Sequence, residues 1–261
     1  MIVIEDISRH FGGIVAVDGC SFRIETGSIT GLIGPNGAGK TTLFNIIAGF
    51  MRPTRGRILL DGRDVTGWSP HRLFELGLMR TFQIPHVFEG MSVLENLMVV
   101  PAGQLGENLT AAWLARGRVR RQDTVIRRRA EEVLEFLNLV HLHDELAGNL
   151  SGGQKKLLEL GRTLMSECKT VLLDEPGAGV NRTLLASLVD NIATLNRDFG
   201  YTFCIVEHDM DVVARLCDPV IVMAEGRVLT QGRFDEVRRN EQVLDAYLGG
   251  SGVAVTVEGG A

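Results

Sequence analysis

Gly34-Pro35-Asn36-Gly37-Ala38-Gly39-Lys40-Thr41 constrains this chain more than any other stretch. It fits G-x-x-x-x-G-K-[ST], the pattern of a phosphate-binding loop. It follows the apolar run Ile29–Ile33 and leads into Thr41–Phe50, where Leu43, Phe44, Ile46 and Ile47 fall at helical positions. Glycines let successive backbone N–H groups turn inward around an anion, and a helix N-terminus adds the positive end of its dipole. In such a loop Lys40 would bridge the β- and γ-phosphates of a nucleotide, and the Thr41 hydroxyl would ligate Mg²⁺. Gly34, Pro35, Asn36, Gly37, Ala38, Gly39, Lys40, Thr41 and Thr42 are therefore the expected nucleotide-contacting positions. A chance match is the competing explanation in a chain with 31 glycines. The strand–loop–helix context weighs against it.

Two further patterns point the same way. Val171-Leu172-Leu173-Asp174-Glu175 is an apolar strand ending in two carboxylates. Asp174 would hold Mg²⁺ through water, and Glu175 would orient or deprotonate an attacking water. The plainer reading of such a strand end is a helix cap or an ion pair. About twenty residues earlier stands Leu150-Ser151-Gly152-Gly153-Gln154, followed by a helical pattern rich in Lys, Leu and Glu. A serine before glycines at a helix start is also an ordinary N-cap.

The rest of the chain reads as an α/β body with helices inserted in its middle. Val3–Ile7, Ser21–Ile24, Ile29–Ile33 and Arg57–Leu60 are strand candidates early on, and Val171–Leu173, Phe203–Val206 and Ile221–Met223 follow late. Leu184, Leu185, Leu188, Val189, Ile192 and Leu195 form a helical stripe between the first two late strands, which predicts a parallel βαβ unit. In the middle, Val133, Leu134, Phe136, Leu137 and Val140 make one helical face, and Trp113 is expected to pack within the same region.

Composition narrows the class. The chain has 261 residues, 45% hydrophobic and 23% charged, as a globular protein does. A net charge of −5 gives no general affinity for polyanions, and no nucleic-acid partner is expected. Cys20, Cys168, Cys204 and Cys217 form no C-x-x-C pair and sit among apolar neighbours, so they read as buried free thiols. Met1–Asp6 has no signal-peptide pattern, and no apolar run approaches the ~18–20 residues of a membrane span. The expectation is a cytoplasmic chain held at a membrane, if at all, by something else.

With the three motifs in this order, the sequence resembles the ATP-binding subunits of ATP-binding-cassette (ABC) transporters over about residues 2–249. Gly34–Thr41 matches the family's Walker A motif, Leu150–Gln154 its signature motif, and Val171–Glu175 its Walker B motif with the catalytic glutamate. Gln83, in Arg80-Thr81-Phe82-Gln83, falls at the Q-loop. His208, in Val206-Glu207-His208-Asp209, falls at the switch histidine. Gly177–Asn181 occupies the D-loop, with Asn181 where many members carry aspartate. Phe11 sits where the family stacks an aromatic on adenine. His10–Val17, Arg80–Gln83, Glu207–Met210 and Asp245–Gly249 are similar to the LivG-type ATPases of branched-chain amino acid importers.

The resemblance implies a P-loop NTPase (RecA-like) core with an antiparallel β subdomain and a helical insertion. It divides the chain into a nucleotide-binding core over 1–90 and 166–249, a helical subdomain over 91–165, and a flexible tail over 250–261. It implies catalytic roles for Glu175, His208 and Gln83, and Mg²⁺ ligation by Thr41, Gln83 and Asp174. It also implies that Ser151, Gly152, Gly153 and Gln154 face ATP bound by a partner chain, in a head-to-tail dimer. The partners so implied are membrane-spanning permease subunits, a sister ATPase or a second copy, and indirectly a periplasmic or extracellular solute-binding protein. The place implied is the cytoplasmic face of the inner membrane. Related ATPases for urea or amide uptake and lipopolysaccharide export share much of the pattern. A soluble ABC factor would carry two cassettes or a long coiled coil, and neither is present. Arg116, Arg118, Arg120, Arg121, Arg127, Arg128 and Arg129, opposed mainly by Asp123, read as either a solvated face or a contact with the membrane partners.

Overall fold

The computed structural model describes residues 1–81, 85–107 and 109–249; Gln83 and the tail 250–261 lie outside the described residues. The chain opens with β1 (Ile2–Phe11), β2 (Ile14–Ile24), β3 (Ile29–Ile33) and α1 (Lys40–Ile47). Next come β4 (Arg55–Leu60), β5 (Arg63–Asp64), α2 (Pro70–Glu75) and β6 (Leu78–Arg80). A helical stretch follows, with α3 (Val93–Met98), α4 (Leu109–Leu114), α5 (Arg116–Phe136) and α6 (Gly152–Met165). The chain then returns to alternation in β7 (Thr170–Asp174), α7 (Arg182–Phe199), β8 (Thr202–Val206) and α8 (Met210–Leu216). It closes with β9 (Val220–Ala224), β10 (Arg227–Gly232), α9 (Phe234–Val237) and α10 (Glu241–Gly249).

The strands form two sheets. A four-stranded antiparallel sheet has the order β2-β1-β4-β5, and a six-stranded sheet has the order β10-β9-β3-β8-β7-β6. In the second sheet all neighbours are parallel except β10, which turns back on β9. That hairpin closes through Glu225 and Gly226, both with positive φ (48° and 78°), as a two-residue primed turn requires. Parallel strands buried on both faces are short apolar runs, and β3, β7 and β8 are such runs.

Side chains alternate across the large sheet and so serve two cores. Val171, Leu173, Phe203 and Ile205 face one core, shared with α5, α6, α7 and α8. Leu172, Cys204 and Val206 face the other, shared with α1 and the antiparallel sheet. All four cysteines are buried and free.

Some local expectations change. The first helix runs Lys40–Ile47 rather than Thr41–Phe50, because Gly49 takes the left-handed φ of 77°, where a Cβ would sit 2.3 Å from the Trp68 carbonyl oxygen. The first two strands are longer than Val3–Ile7 and Ser21–Ile24, since they continue as an exposed hairpin through Gly12-Gly13. Trp113 does not pack inside; it is 73% exposed on α4, beside an equally exposed Leu114. Val140 falls in a short 3-10 turn beyond α5 and is half-exposed, so the buried face of α5 is Ile126, Ala130, Val133 and Leu134.

Candidate active site

Ligands of open parallel sheets bind beyond the carboxyl ends of the strands. Here β3, β8 and β7 are adjacent, and their carboxyl ends deliver the glycine loop, His208 and the Asp174-Glu175 pair to one place. An open cleft of about 230 Å³ lies there, lined by Ala16, Asn36 to Thr42, Glu175 and His208.

The loop is built so that only glycine fits at two points. Gly34 takes φ 150°, and a Cβ there would sit 2.1 Å from the Met223 carbonyl oxygen. Gly39, the N-cap of α1, takes φ 93°, and its Cβ would sit 2.4 Å from the Ala16 carbonyl oxygen. The loop is thereby held between β9 and β2, and within it the Ala38 N–H donates to the Pro35 carbonyl at 3.2 Å. Lys40 is 6% exposed and turns back over the loop, donating to the Gly34 and Pro35 carbonyls at 2.7 and 2.9 Å. Burial lowers its pKa below the usual lysine value, and the Glu175 charge opposes that shift. Thr41 and Thr42 stand in the first turn of α1, on the cleft.

Across the cleft, Asp174 ends β7 in an ion pair with Arg80 of β6 at 2.7 Å. The plainer sequence reading of this carboxylate is therefore realised here. Glu175 follows with φ 47°, a left-handed conformation uncommon outside glycine. Its carboxylate lies 2.9 Å from His208 Nε2. Glu207, 4% exposed, fastens the turn that carries His208: it accepts from the Gly177 N–H at 2.6 Å and from the His208 N–H at 3.0 Å.

The remaining expected residues lie elsewhere. Ser151 caps α6: its hydroxyl accepts from the Gln154 N–H, and the Gln154 side chain accepts from the Ser151 N–H at 2.9 Å. Gly153 is buried where a Cβ would meet Leu184 at 2.7 Å, whereas Ser151 and Gly152 are exposed and do not line the cleft. Phe11 is 42% exposed at the β1–β2 hairpin, with the Arg9 guanidinium 4.7 Å from its ring centre, and it does not line the cleft; Ala16 of β2 does. Asn181 caps α7 through an acceptor bond from the Leu184 N–H.

Three residues without a motif role in the sequence belong to this neighbourhood: Arg80, Glu207 and Lys156. Lys156 lies on α6, 6% exposed, with its ammonium 2.5 Å from the Glu175 carbonyl oxygen. Burial lowers its pKa, and Glu159, Glu207, Glu175 and Asp174 oppose that shift. No sequence signal marks Lys156, because only the folded chain brings it to Glu175, 19 positions away.

A glycine loop closed over a lysine, at the carboxyl ends of a parallel sheet, places the chain among P-loop nucleotide-binding proteins. The family described as ABC transporter matches residues 17–178, and the one described as branched-chain amino acid ATP-binding cassette transporter matches residues 227–253. A probable branched-chain amino acid transport ATP-binding protein, LivG, of Archaeoglobus fulgidus is 42% identical over 248 residues, 94% of each chain. The high-affinity branched-chain amino acid transport ATP-binding protein BraF of Pseudomonas aeruginosa is 36% identical, covering 95% of this chain and 98% of its own. The ADP conformation of an ABC transporter cassette superposes with a TM-score of 0.79 at 36% identity, over 95% of this chain and 98% of the other. The chain belongs to the ABC transporter family as an ATP-binding subunit, and such subunits hydrolyse ATP to power transport. No helix among the described residues is long and apolar enough to cross a membrane.

Proposed function

We propose that this chain binds and hydrolyses ATP at the Lys40–Glu175 cleft to drive import of branched-chain amino acids through separate permease subunits. The observation that carries the reading is one cleft lined by the glycine loop, Glu175 and His208. The substrate class follows from the likeness to transport ATP-binding proteins for branched-chain amino acids in two organisms.

The loop amides and the α1 N-terminus would receive the phosphates, and Lys40 would exchange its two carbonyl partners for phosphate oxygens. Glu175 would take the proton of the attacking water, with His208 fixing the carboxylate from 2.9 Å. Among the described residues no group of three or more His, Cys, Asp or Glu could hold a metal unaided. Thr41, Asp174 and Gln83 are instead a sparse oxygen donor set, which suits a cation that arrives with phosphates. Mg²⁺ bound there would neutralise charge on the β- and γ-phosphate oxygens.

Ser151 and Gly152 are exposed and turned away from this chain's own cleft, which supports their contact with ATP held by a partner chain. Two different ATPases would pair in this way, and Phe11 would approach the adenine. The exposed arginines of α5, beside Trp113, are the surface offered to the permease at the cytoplasmic face of the membrane. A solute-binding protein would act on the far side without touching this chain.

Reconstitution with the permease and sister ATPase in proteoliposomes tests the whole reading. Leucine uptake should require Mg-ATP and vanish in Glu175→Gln. ATP-driven uptake that persists in that variant would overturn the assignment.

A further inference from the structure

Both peptide groups of Glu175 are pinned by different parts of the fold. Its N–H donates to the Val206 carbonyl of β8 at 2.9 Å, and its carbonyl accepts both from the Lys156 ammonium at 2.5 Å and from the Ala178 N–H of the following turn at 3.1 Å, so that Lys156 is the one anchor of this carbonyl that comes from α6. Between these anchors the residue holds φ 47°, a conformation that a side-chain-bearing residue keeps only when its surroundings impose it. Lys156 is 6% exposed, and Glu159, one turn further along α6, is 8% exposed beside it. Thr81, Lys156, Glu159 and Pro176 line a small pocket with room for about one water. A buried lysine that donates to a main-chain carbonyl fixes that carbonyl more tightly than a neutral donor does.

We propose that Lys156 is a positioning residue for hydrolysis, which sets the aim of the Glu175 carboxylate by holding its main chain from α6. The inference rests on the reading of Glu175 as the general base. Its consequence lies in the placement of α6. The same helix begins at Ser151 and Gly152, the exposed end offered to the partner chain, and reaches Lys156 little more than one turn later. A rigid α6 carries any displacement of that end to the Glu175 backbone. Engagement of the partner's nucleotide would thus be registered at this chain's own base through one side chain.

The test uses the full chain in its transporter complex, with ATP affinity and turnover measured separately. Lys156→Met should lower kcat by about 10- to 100-fold, as expected for a displaced catalytic group. Its Kd for ATP should stay within about threefold of the parent. Lys156→Arg, which restores a charged donor, should recover turnover to within about fivefold of the parent. Parental kcat in Lys156→Met overturns the proposal, and so does an equal loss of binding and turnover. Should Lys156→Met fail to fold, Lys156→Ala, which also removes the donor, is read by the same split between kcat and Kd. Glu175→Gln separates the two readings. If it is inactive while Lys156→Met turns over normally, only the positioning role falls. If Glu175→Gln itself turns over normally, the general base is misassigned. In the Glu175→Gln background, Lys156→Met should change turnover no further.

Discussion

Arg80 and Asp174 form an ion pair of 2.7 Å in which neither side chain is more than 8% exposed. The same guanidinium reaches the Asn45 carboxamide on α1 and lies 5.6 Å from the ring centres of Phe44 and Phe50. One cation thus joins β6, β7 and the helix that follows the phosphate loop. Removing one partner of a buried pair leaves the other charge badly solvated, at a cost of about 3–5 kcal/mol. Arg80→Met should lower unfolding stability by that order, as read from urea titration. Asp174→Asn combined with Arg80→Met should cost less than the two changes added together, because they act on one interaction. Strict additivity would show that the pair is not coupled.

Lys40 donates to two carbonyls of its own loop, which phosphate oxygens would replace in the proposed ATP complex. Hydrogen bonds to a charged group contribute about 1.5–3 kcal/mol. Lys40→Ala should therefore weaken ATP binding by about 10- to 100-fold in calorimetric titration. Unchanged affinity would remove Lys40 from the phosphate site.

Glu175→Gln keeps the shape of the side chain and removes the proposed base. Turnover should fall by about 10²- to 10⁴-fold while ATP binding persists. The solution mass of this variant with and without Mg-ATP then reports the pairing. A doubling would mean that two copies complete each other's sites. A monomer that holds ATP would mean that the second half comes from a sister chain.

Gly39 and Gly37 lie two residues apart and both have positive φ, 93° and 79°, but only Gly39 has backbone where a Cβ would go. Gly37→Ala should cost about 1–2 kcal/mol, the strain of the conformation alone. Gly39→Ala should cost more than that and weaken ATP binding as well, since the loop and the β2 backbone at Ala16 must part. Thermal unfolding of the two variants side by side checks the ranking, and equal losses would contradict it.

Burial pushes the Cys20 thiol from 9.0 up to about 11 and the Cys217 thiol to about 12. An unfolded chain releases these protons near pH 9, and the folded chain releases them later. Above pH 9 the folded state therefore holds more protons, and stability present below pH 9 is lost as the pH rises toward the folded values. The slope is at most about 1.4 kcal/mol per pH unit for each thiol. Lys40 and Lys156 act in the opposite sense, because rising pH relieves a buried ammonium. Comparing the parent with Cys20→Ala at pH 8, 9 and 10 isolates the thiol. The variant should lose less stability over that range, and parallel curves would exclude Cys20.

The parts of this fold that were legible in the sequence are those whose pattern is local. The strand Ile29–Ile33 appears with the bounds its apolar run predicts, because it is buried on both faces and its one polar side chain, Thr30, is small and buried as well. The loop after it was legible residue by residue, since backbone geometry dictates its glycines. The β1–β2 hairpin was only half legible. Its outer end carries Arg9, His10 and the exposed Ile14 and Val15, so alternation fails there. Trp113 misleads because its residue type suggests a core position that α4 does not provide. Arg80, Lys156 and Glu207 have no local signature at all. Their partners are Asp174, Glu175 and Gly177, between 19 and 94 positions away in the chain.

β6 and β7 are hydrogen-bonded parallel neighbours, with Leu78 opposite Thr170 and Arg80 opposite Leu172. The chain leaves the sheet at one strand and re-enters at the next, so everything from α3 to α6 is an excursion between two adjacent strands. The edges of that excursion are fixed by the sheet, while its length is not. Residues could therefore be added to or removed from this segment without breaking a strand pairing of the sheet. Within the excursion, α6 reaches back to the cleft through Lys156 and the Glu175 carbonyl.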